Sequence, residues 1–496
     1  MDRKTPPSGT VRDWLDLRAE ASDTAIVFPE TGEVLNWAVL RDSARAMAQG
    51  MVAQGIAKGE SVAIIHPNGR DGVLALYATL YGGFRATMIN LAAGPEAISH
   101  ALEHSGARAA YVHETQTGIF ARTAPEGMAR LDAATLGGAA TLPDLGGDDD
   151  ALLMYTSGTT GRPKGVVHSQ ASLLAGGWTT CLAHDLGPND RGFCLLPIYH
   201  INGLCVSLMA ALISGGSLAM IPRFSSSRFW AQADAAAVTW FSVVPTIISH
   251  LLHGPGEPTE SVRARLRFGR SASSALAVET HTGFETRFGV PIIETMGLTE
   301  TAAQILSNPL PPGIRKIGSP GIGFGNEVRI LAPDLTEALR GQEGEIAVRG
   351  PNVMRGYLHD PEATAATFAG DWLRSGDLGR MDGDGYVFVT GRLKELIIKG
   401  GENIAPREID EALYSHPDVV EAAAFARPCA RYGERVEAAV SLRNGAQVTM
   451  EELIALCQDR LGPFKSPDLI HLLDELPKGP SGKIQRLKLP GLVSAP

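Results

Sequence analysis

The stretch MYTSGTTGRPKGVVHS, residues 154–169, sets glycines, hydroxyl side chains and a lysine in one run directly after the apolar ALLMY. Glycine allows close backbone approach, and successive N–H groups in such a loop can converge on an anion. Thr156, Ser157, Thr159 and Thr160 add hydroxyl donors, Gly158 and Gly161 the conformational freedom, and Lys164 a point charge. The chemistry this suits is phosphate binding. It is not the P-loop of the Walker A type, which needs Ser or Thr after its lysine; here Lys164 is followed by Gly165.

Other reactive side chains sit in comparable places. In ETMGLTET, residues 294–301, Thr299 and Glu300 follow an apolar strand and a glycine turn, where a carboxylate suits Mg²⁺ held against phosphates. In WLRSGDLG, Asp377 is expected after a strand, placed to accept from ribose hydroxyls. Lys483 lies in PKGPSGKIQR, and His200 in PIYHINGLC beside an apolar run. Taken singly, each also suits an ordinary role: a solvated loop charge for the acids and the lysine, a packed core residue for the histidine.

Elements must bring these side chains together. TAIVF, SVAIIH, ATMINL and AAYVHE read as strands; WAVLRDSARAMAQGMVAQG, DGVLALYATLYGGF and PEAISHALEHSG read as amphipathic or buried helices. That alternation predicts βαβ units and a mostly parallel sheet. After the Gly/Pro-rich LPPGIRKIGSPGIGFG, the segments EVRILAP and GEIAVRG look antiparallel. The style changes again near residue 391, where a polar run precedes a strand, a Gly-Gly loop, a helix and another strand. The predicted class is α/β: a large N-terminal domain of parallel-rich sheets with helices and a small β subdomain, residues 1–391, a hinge over 392–396, and a small mobile α+β lid over 397–496.

Bulk properties narrow the function. Of the 496 residues, 44% are apolar and 20% charged, an ordinary globular composition. A net charge of −10 without a basic run argues against nucleic acid as a partner. The five cysteines have no C-x-x-C spacing and read as reduced thiols of a cytoplasmic protein, and the opening MDRKTPPSGTVRDWL has no apolar signal core. The uncharged run from Leu204 to Ile221 is long enough to span a membrane, but Ser214, Gly215, Gly216 and Ser217 interrupt it. It predicts a buried helix, a turn and a buried strand, and no membrane partner.

Together, YTSGTTGRPKGV, PIYHINGL, MGLTET, GEIAVRGPNVMRGYLHDPEAT, the segment from Trp372 to Leu413 and PKGPSGKIQR resemble, in that order, the AMP-forming acyl-CoA synthetases, across residues 20–490. The resemblance implies ATP, Mg²⁺ and coenzyme A, and two steps. A carboxylate and ATP give an acyl-adenylate and pyrophosphate; CoA then displaces AMP. It implies that residues 156–161 and Lys164 wrap the β- and γ-phosphates, that Glu300 with Thr156 holds Mg²⁺, and that Thr299 lies near the α-phosphate. Ser273, Ser274, Ala275, Met296 and Gly297 would border adenine, with Met296 in place of the usual stacked aromatic. Asp377 and Arg392 match the ribose contacts, Lys483 the lysine bridging carboxylate and α-phosphate, and His200 the gate to the CoA tunnel. Lys394 matches the hinge, and Lys399, Gly400 and Gly401 the loop lining that tunnel after the lid rotates. A homodimer is compatible with this family, and acetylation of Lys483 would remove the charge adenylation needs.

The acid is expected to be small. RFGRSASSAL, TWFSVVPTII and PRFSSSRFW look like the oxalyl-CoA synthetase branch and like the sulfoacetate- and carnitine-related ligases. His200, Asn202, Gly203, Val244, Arg270, Ser271 and Ser273 are the expected acid-facing residues. Arg270 would pair either an anionic substrate tail or a protein carboxylate, since a buried guanidinium is costly alone. Oxalate is disfavoured, because that branch has a His shortly after the Thr-Glu where this chain has Ala302 and Ala303. The predicted activity is thus ligation of CoA to a small polar or dianionic acid of the oxalate, malonate or sulfoacetate type. Transfer to a carrier protein or amine is the alternative; the Gly-Gly-Glu-Asn loop and the absence of a carrier domain after Lys483 favour CoA.

Overall fold

In the computed structural model, residues 5–21, 23–132, 139–156, 163–443, 445–479 and 483–493 are described. The alternating first third folds as the sequence suggests. Asn36 caps the helix Trp37–Ala53 by accepting from the Val39 N–H, and Trp37, Leu40, Ala44, Met47 and Met51 form its buried face. Arg70–Gly82 is buried along nearly its whole length. The strands Ser61–Ile65, Arg85–Met88 and Ala109–Val112 pair in parallel within a seven-stranded sheet. Toward one edge of that sheet lies the antiparallel pair Asp150–Thr156 and Lys164–Ser169, with the short strand Gly356–Tyr357 outermost.

A nine-stranded sheet holds the acid-facing residues. Its strands Arg191–Cys194, Trp240–Val243, Phe268–Ser271 and Ile292–Leu298 run parallel side by side, so their C-terminal ends open on one edge. Ligand sites in such sheets lie outside that edge. The uncharged run after Leu204 is π-helical over Asn202–Met209, α-helical over Ala210–Ser214, turns at Gly215 and Gly216, and ends in the strand Ser217–Met220. Among the described residues, no helix is long and apolar enough to cross a membrane. The π-helix itself was not foreseen; its wider turn packs Met209 against Gly177, where a Cβ would lie 2.7 Å from the Met209 carbonyl.

The β subdomain is a five-stranded antiparallel sheet, as EVRILAP and GEIAVRG implied. Two placements differ in detail. Asp377 sits within the strand Trp372–Met381, not after it, because the chain continues past a left-handed Gly376 and stays paired with Val387–Arg392. Lys164 begins a strand and pairs with Thr156, the last residue of Asp150–Thr156. The small C-terminal domain has its own five-stranded sheet and the helix Pro406–Tyr414. It docks on the large domain through Ser249, whose hydroxyl donates to the Val420 carbonyl at 3.0 Å, and through Glu411, which accepts from the Val278 N–H at 3.2 Å.

A buried histidine ties two of these layers. His168 is 0% exposed; its Nε2 meets the Thr299 carbonyl at 2.7 Å and its Nδ1 meets the Ser172 hydroxyl at 3.1 Å. Burial pushes its pKa down to about 4, as it does for His66 and His200. A folded-state pKa below the unfolded value stabilises the fold in full above about pH 6.5 and loses that contribution as pH falls towards 4. Each such group costs about 2 kcal/mol between pH 6.5 and 5. We therefore expect the melting temperature to drop over that interval and the drop to be shallower in His168→Gln, whose amide can still donate to Thr299. An equal slope in both proteins would contradict the assignment.

Candidate active site

Two connected clefts open between the large domain and the C-terminal domain. Met296, Gly297, Ser273, Ser274, Ala275, Asp377, Arg392 and Lys483 line the first. Thr156, Lys164, His200, Asn202, Val244, Ser273, Gly297, Thr299, Glu300, Arg392, Lys394 and Lys483 line the second. Residues from at least seven separated stretches of sequence thus meet at one place. Ser157, Gly158, Thr159, Thr160 and Gly161 lie outside the described residues; Thr156 and Lys164, on either side of them in sequence, are paired.

The acidic turn is held from three sides. The Thr299 carbonyl meets His168, the Glu300 carbonyl accepts from the Met354 N–H at 2.8 Å, and the Thr301 carbonyl accepts from the Asn352 amide at 2.6 Å. Gly297 is required just before it, because a Cβ there would lie 1.5 Å from the Ala303 carbonyl oxygen. The side chain of Glu300 accepts from the Tyr357 hydroxyl at 3.0 Å, and the Tyr357 ring lies 4.7 Å from the Lys164 ammonium. Tyr357 therefore touches both the acid and the cation. Sequence reasoning missed it: GYLHDP was quoted only as part of a resemblance, and a lone Tyr carries no chemical signal. The carboxylate of Glu300 and the hydroxyl of Thr156 are oxygen donors suited to Mg²⁺, and their presence in one cleft fits such an ion.

Opposite lies a group of cations. Arg392 grips Asp377 through Nε at 2.6 Å and Nη2 at 3.3 Å. Burial alone would lower its pKa, but the charge of Asp377, with Glu395 and Glu300, raises it instead. Lys483 is lowered, first by burial and then by Arg392, with Glu395 and Asp377 opposing. His200 is neutral for the same reason of burial, and its Nε2 finds no partner among the described residues although His200 lines the cleft. The arrangement provides positive charge, a carboxylate and an unpaired ring nitrogen around one space.

Some expected residues are placed elsewhere. Arg270 is 1% exposed and is not among the residues lining either cleft. Nor does it pair a carboxylate among the described residues: its partners are the neutral Asn202, Ser242 and Gln304. Burial lowers it to about 9, which leaves it charged at neutral pH. Ser271 is fully buried at the same strand end, and Gly203 lies inside the π-helix, where a Cβ would meet the Pro197 carbonyl at 2.2 Å. Both lie behind the wall of the cleft for packing reasons. Lys399, Gly400 and Gly401 are also outside it: Lys399 donates to the Phe464 carbonyl at 2.9 Å, and both glycines have left-handed φ.

Residues 16–358 match the AMP-binding enzyme family, and residues 408–483 match the AMP-binding enzyme C-terminal domain. The chain belongs to this family. It is 45% identical to the sulfoacetate–CoA ligase of Cupriavidus necator, covering 94% of each chain. It is 35% identical to the oxalate–CoA ligase of Arabidopsis thaliana, covering 91% of this chain and 92% of that one. Its fold superposes on ATP-bound MatB from Rhodopseudomonas palustris with a TM-score of 0.90, at 29% identity, over 97% of this chain and 98% of the other. This member of the AMP-binding enzymes is an AMP-forming acid–CoA ligase that uses ATP, Mg²⁺ and CoA.

The link between Tyr357 and Glu300 is directly testable in such an enzyme. Tyr357→Phe keeps the ring over Lys164 and removes one hydrogen bond to a charged group. We expect the Mg²⁺ concentration for half-maximal activity to rise about tenfold, the scale of one charge-assisted bond, with the melting temperature preserved. An unchanged Mg²⁺ requirement would show that Tyr357 does not position Glu300.

Proposed function

We propose that the two clefts form the site of ATP-dependent activation of a small carboxylic acid carrying a second anionic or strongly polar group, followed by transfer to CoA in the cytoplasm, where both ATP and CoA are at hand. The observation that carries this reading is the convergence of Lys164, Glu300, Arg392 and Lys483, drawn from both domains, on one space. Lys164 and the loop beginning at Thr156 would take the β- and γ-phosphates, and Asp377 with Arg392 the ribose. Ser273 to Ala275 and Met296 border the face where adenine would lie. Glu300 and Thr156 would hold Mg²⁺, which when bound offsets the charge of the triphosphate.

Lys483 would then sit between the substrate carboxylate and the α-phosphate, where its charge lowers the repulsion between two anions. An ammonium whose charge is disfavoured by burial is suited to this: incoming anions would stabilise the form the reaction needs. His200 and Val244 would face the reacting carboxylate, and Asn202 and Ser273 the rest of the acid. The names of the similar ligases, for sulfoacetate and for oxalate, support a short acid with two acidic groups. Ala302 and Ala303, at the sequence positions where the oxalate branch carries a His, favour the sulfoacetate type over oxalate.

The second step needs another arrangement, because Lys399, Gly400 and Gly401 lie away from the clefts. We propose rotation about 392–396. The strand Val387–Arg392 belongs to the sheet of the large domain and Ile397–Lys399 to that of the C-terminal domain, with a turn between them closed by the Glu395 N–H donating to the Arg392 carbonyl. A homodimer and control by acetylation of Lys483 belong to this proposal; acetylation would remove the charge that adenylation uses. For Lys483→Ala we expect adenylation to fall by ~10²–10³ or more, measured as pyrophosphate exchange, while conversion of supplied acyl-adenylate and CoA to thioester persists. Equal loss of both half-reactions would refute the two-arrangement account.

A further inference from the structure

Behind the acid-facing wall lies a buried polar relay that the activity alone does not call for. Arg270 lies on the strand Phe268–Ser271, directly paired with Ser242 on Trp240–Val243. Its Nη1 donates to the Ser242 hydroxyl and to the Asn202 Oδ1, each at 3.0 Å, and its Nε to Gln304 Oε1 at 3.4 Å. Ser242 in turn donates to the same Asn202 Oδ1 at 3.1 Å. Gln304 is fixed by donating to the Thr179 carbonyl at 3.0 Å. Asn202, at the start of the π-helix, is the member of this group that reaches the cleft, and its Nδ2 lies 3.3 Å from the Ser273 hydroxyl.

The chemistry of the guanidinium decides which way that amide faces. Arginine has donors and no acceptor. An Asn202 turned over would set its NH₂ against Nη1 and the Ser242 donor, leaving buried donors face to face at a cost a low-dielectric site magnifies. The oxygen must therefore point inward, and the N–H donors must point toward Ser273 and the cleft. Without Arg270, Ser242 could reorient its hydroxyl and the amide could turn, presenting an oxygen to the substrate.

We propose that Arg270 is a positioning residue for acid selectivity: it acts through Asn202, locking that amide so that the acid end of the cleft presents hydrogen-bond donors to the anionic tail of the substrate. This rests on the reading of the site as one for a small acid with a second anionic group. It replaces direct pairing between Arg270 and the substrate, for which the guanidinium lies too deep. It also explains why a charge was kept at 1% exposure with only neutral partners: an arginine fixes the direction of two acceptors at once, where an aliphatic side chain would fix neither.

The test compares efficiencies, kcat/KM, for sulfoacetate and for propionate as the probes of an anionic and a neutral tail. Wild type is expected to favour sulfoacetate. Asn202→Ala, a change in the cleft wall, should reduce that preference about tenfold or more, mainly through KM for sulfoacetate. Arg270→Leu should reduce it comparably, and Arg270→Leu combined with Asn202→Ala should reduce it no further than Asn202→Ala alone. Arg270→Lys should retain most of the preference, because one donor suffices to hold the Asn202 oxygen inward; a bidentate contact with substrate would instead be lost on that change. A preference left unaltered in Asn202→Ala, or additive losses in the double variant, would overturn the relay while leaving the small-acid reading intact. A wild type that treats both acids alike would overturn that reading itself. Equal losses on both acids in Arg270→Leu, with a fallen melting temperature, would assign Arg270 to the scaffold and also overturn the relay.

Discussion

Two cations held side by side in one cleft are the constraint on which this site depends. Arg392 and Lys483 come from opposite sides of the domain junction and line the same cleft, and the first lowers the pKa of the second. Such a pair repels in the free protein, and a bound anion between the two would favour both charged forms. The architecture supports this tension. Asp377 offsets one of the two cations in a half-buried ion pair. Docking of the small domain through Ser249 and Glu411 keeps the other in place. In the proposed reaction, substrate anions would relieve this repulsion where the new bond forms.

The rest of the fold can be understood as scaffolding for that charge arrangement. The Thr299–Thr301 turn has each of its carbonyls engaged, so Glu300 is presented by a rigid backbone and not by a free loop. Tyr357 connects that carboxylate with Lys164, so the acid and the first cation are set relative to each other before any ligand arrives. Preorganised groups of this kind lose little in reorientation during a reaction. At the other end, Arg270 stays out of the cleft and sets the direction of an amide within it. One arginine thus meets charge directly and another organises neutral groups, a division set by depth below the cleft wall.

Much of this was legible in the sequence because it was local. Apolar spacing gave the helices Trp37–Ala53 and Pro95–His104, and the alternation of such helices with short apolar runs gave the parallel strands between them. The order of motifs gave the family. What escaped was relational. Nothing in RFGRSASSAL says that Arg270 turns inward to Ser242 and Asn202, because strand alternation and the neighbouring strand's register decide it. Tyr357 was invisible because its importance lies in a contact 57 residues away in sequence. Asp377 was placed one element too late because a left-handed glycine inside a strand looks, from sequence, like the strand's end.

The most direct test of the charge account is the titration of Lys483 itself. Its pKa can be read from the pH dependence of amine labelling at that residue, followed by peptide mass analysis, with and without Mg²⁺ and a non-hydrolysable ATP analogue. The account expects the free enzyme to show a value below the ordinary lysine range, set by burial and by Arg392, and expects the nucleotide to raise it, because phosphate favours the ammonium form. An ordinary value in the free enzyme, or one that the nucleotide leaves unmoved, would contradict it.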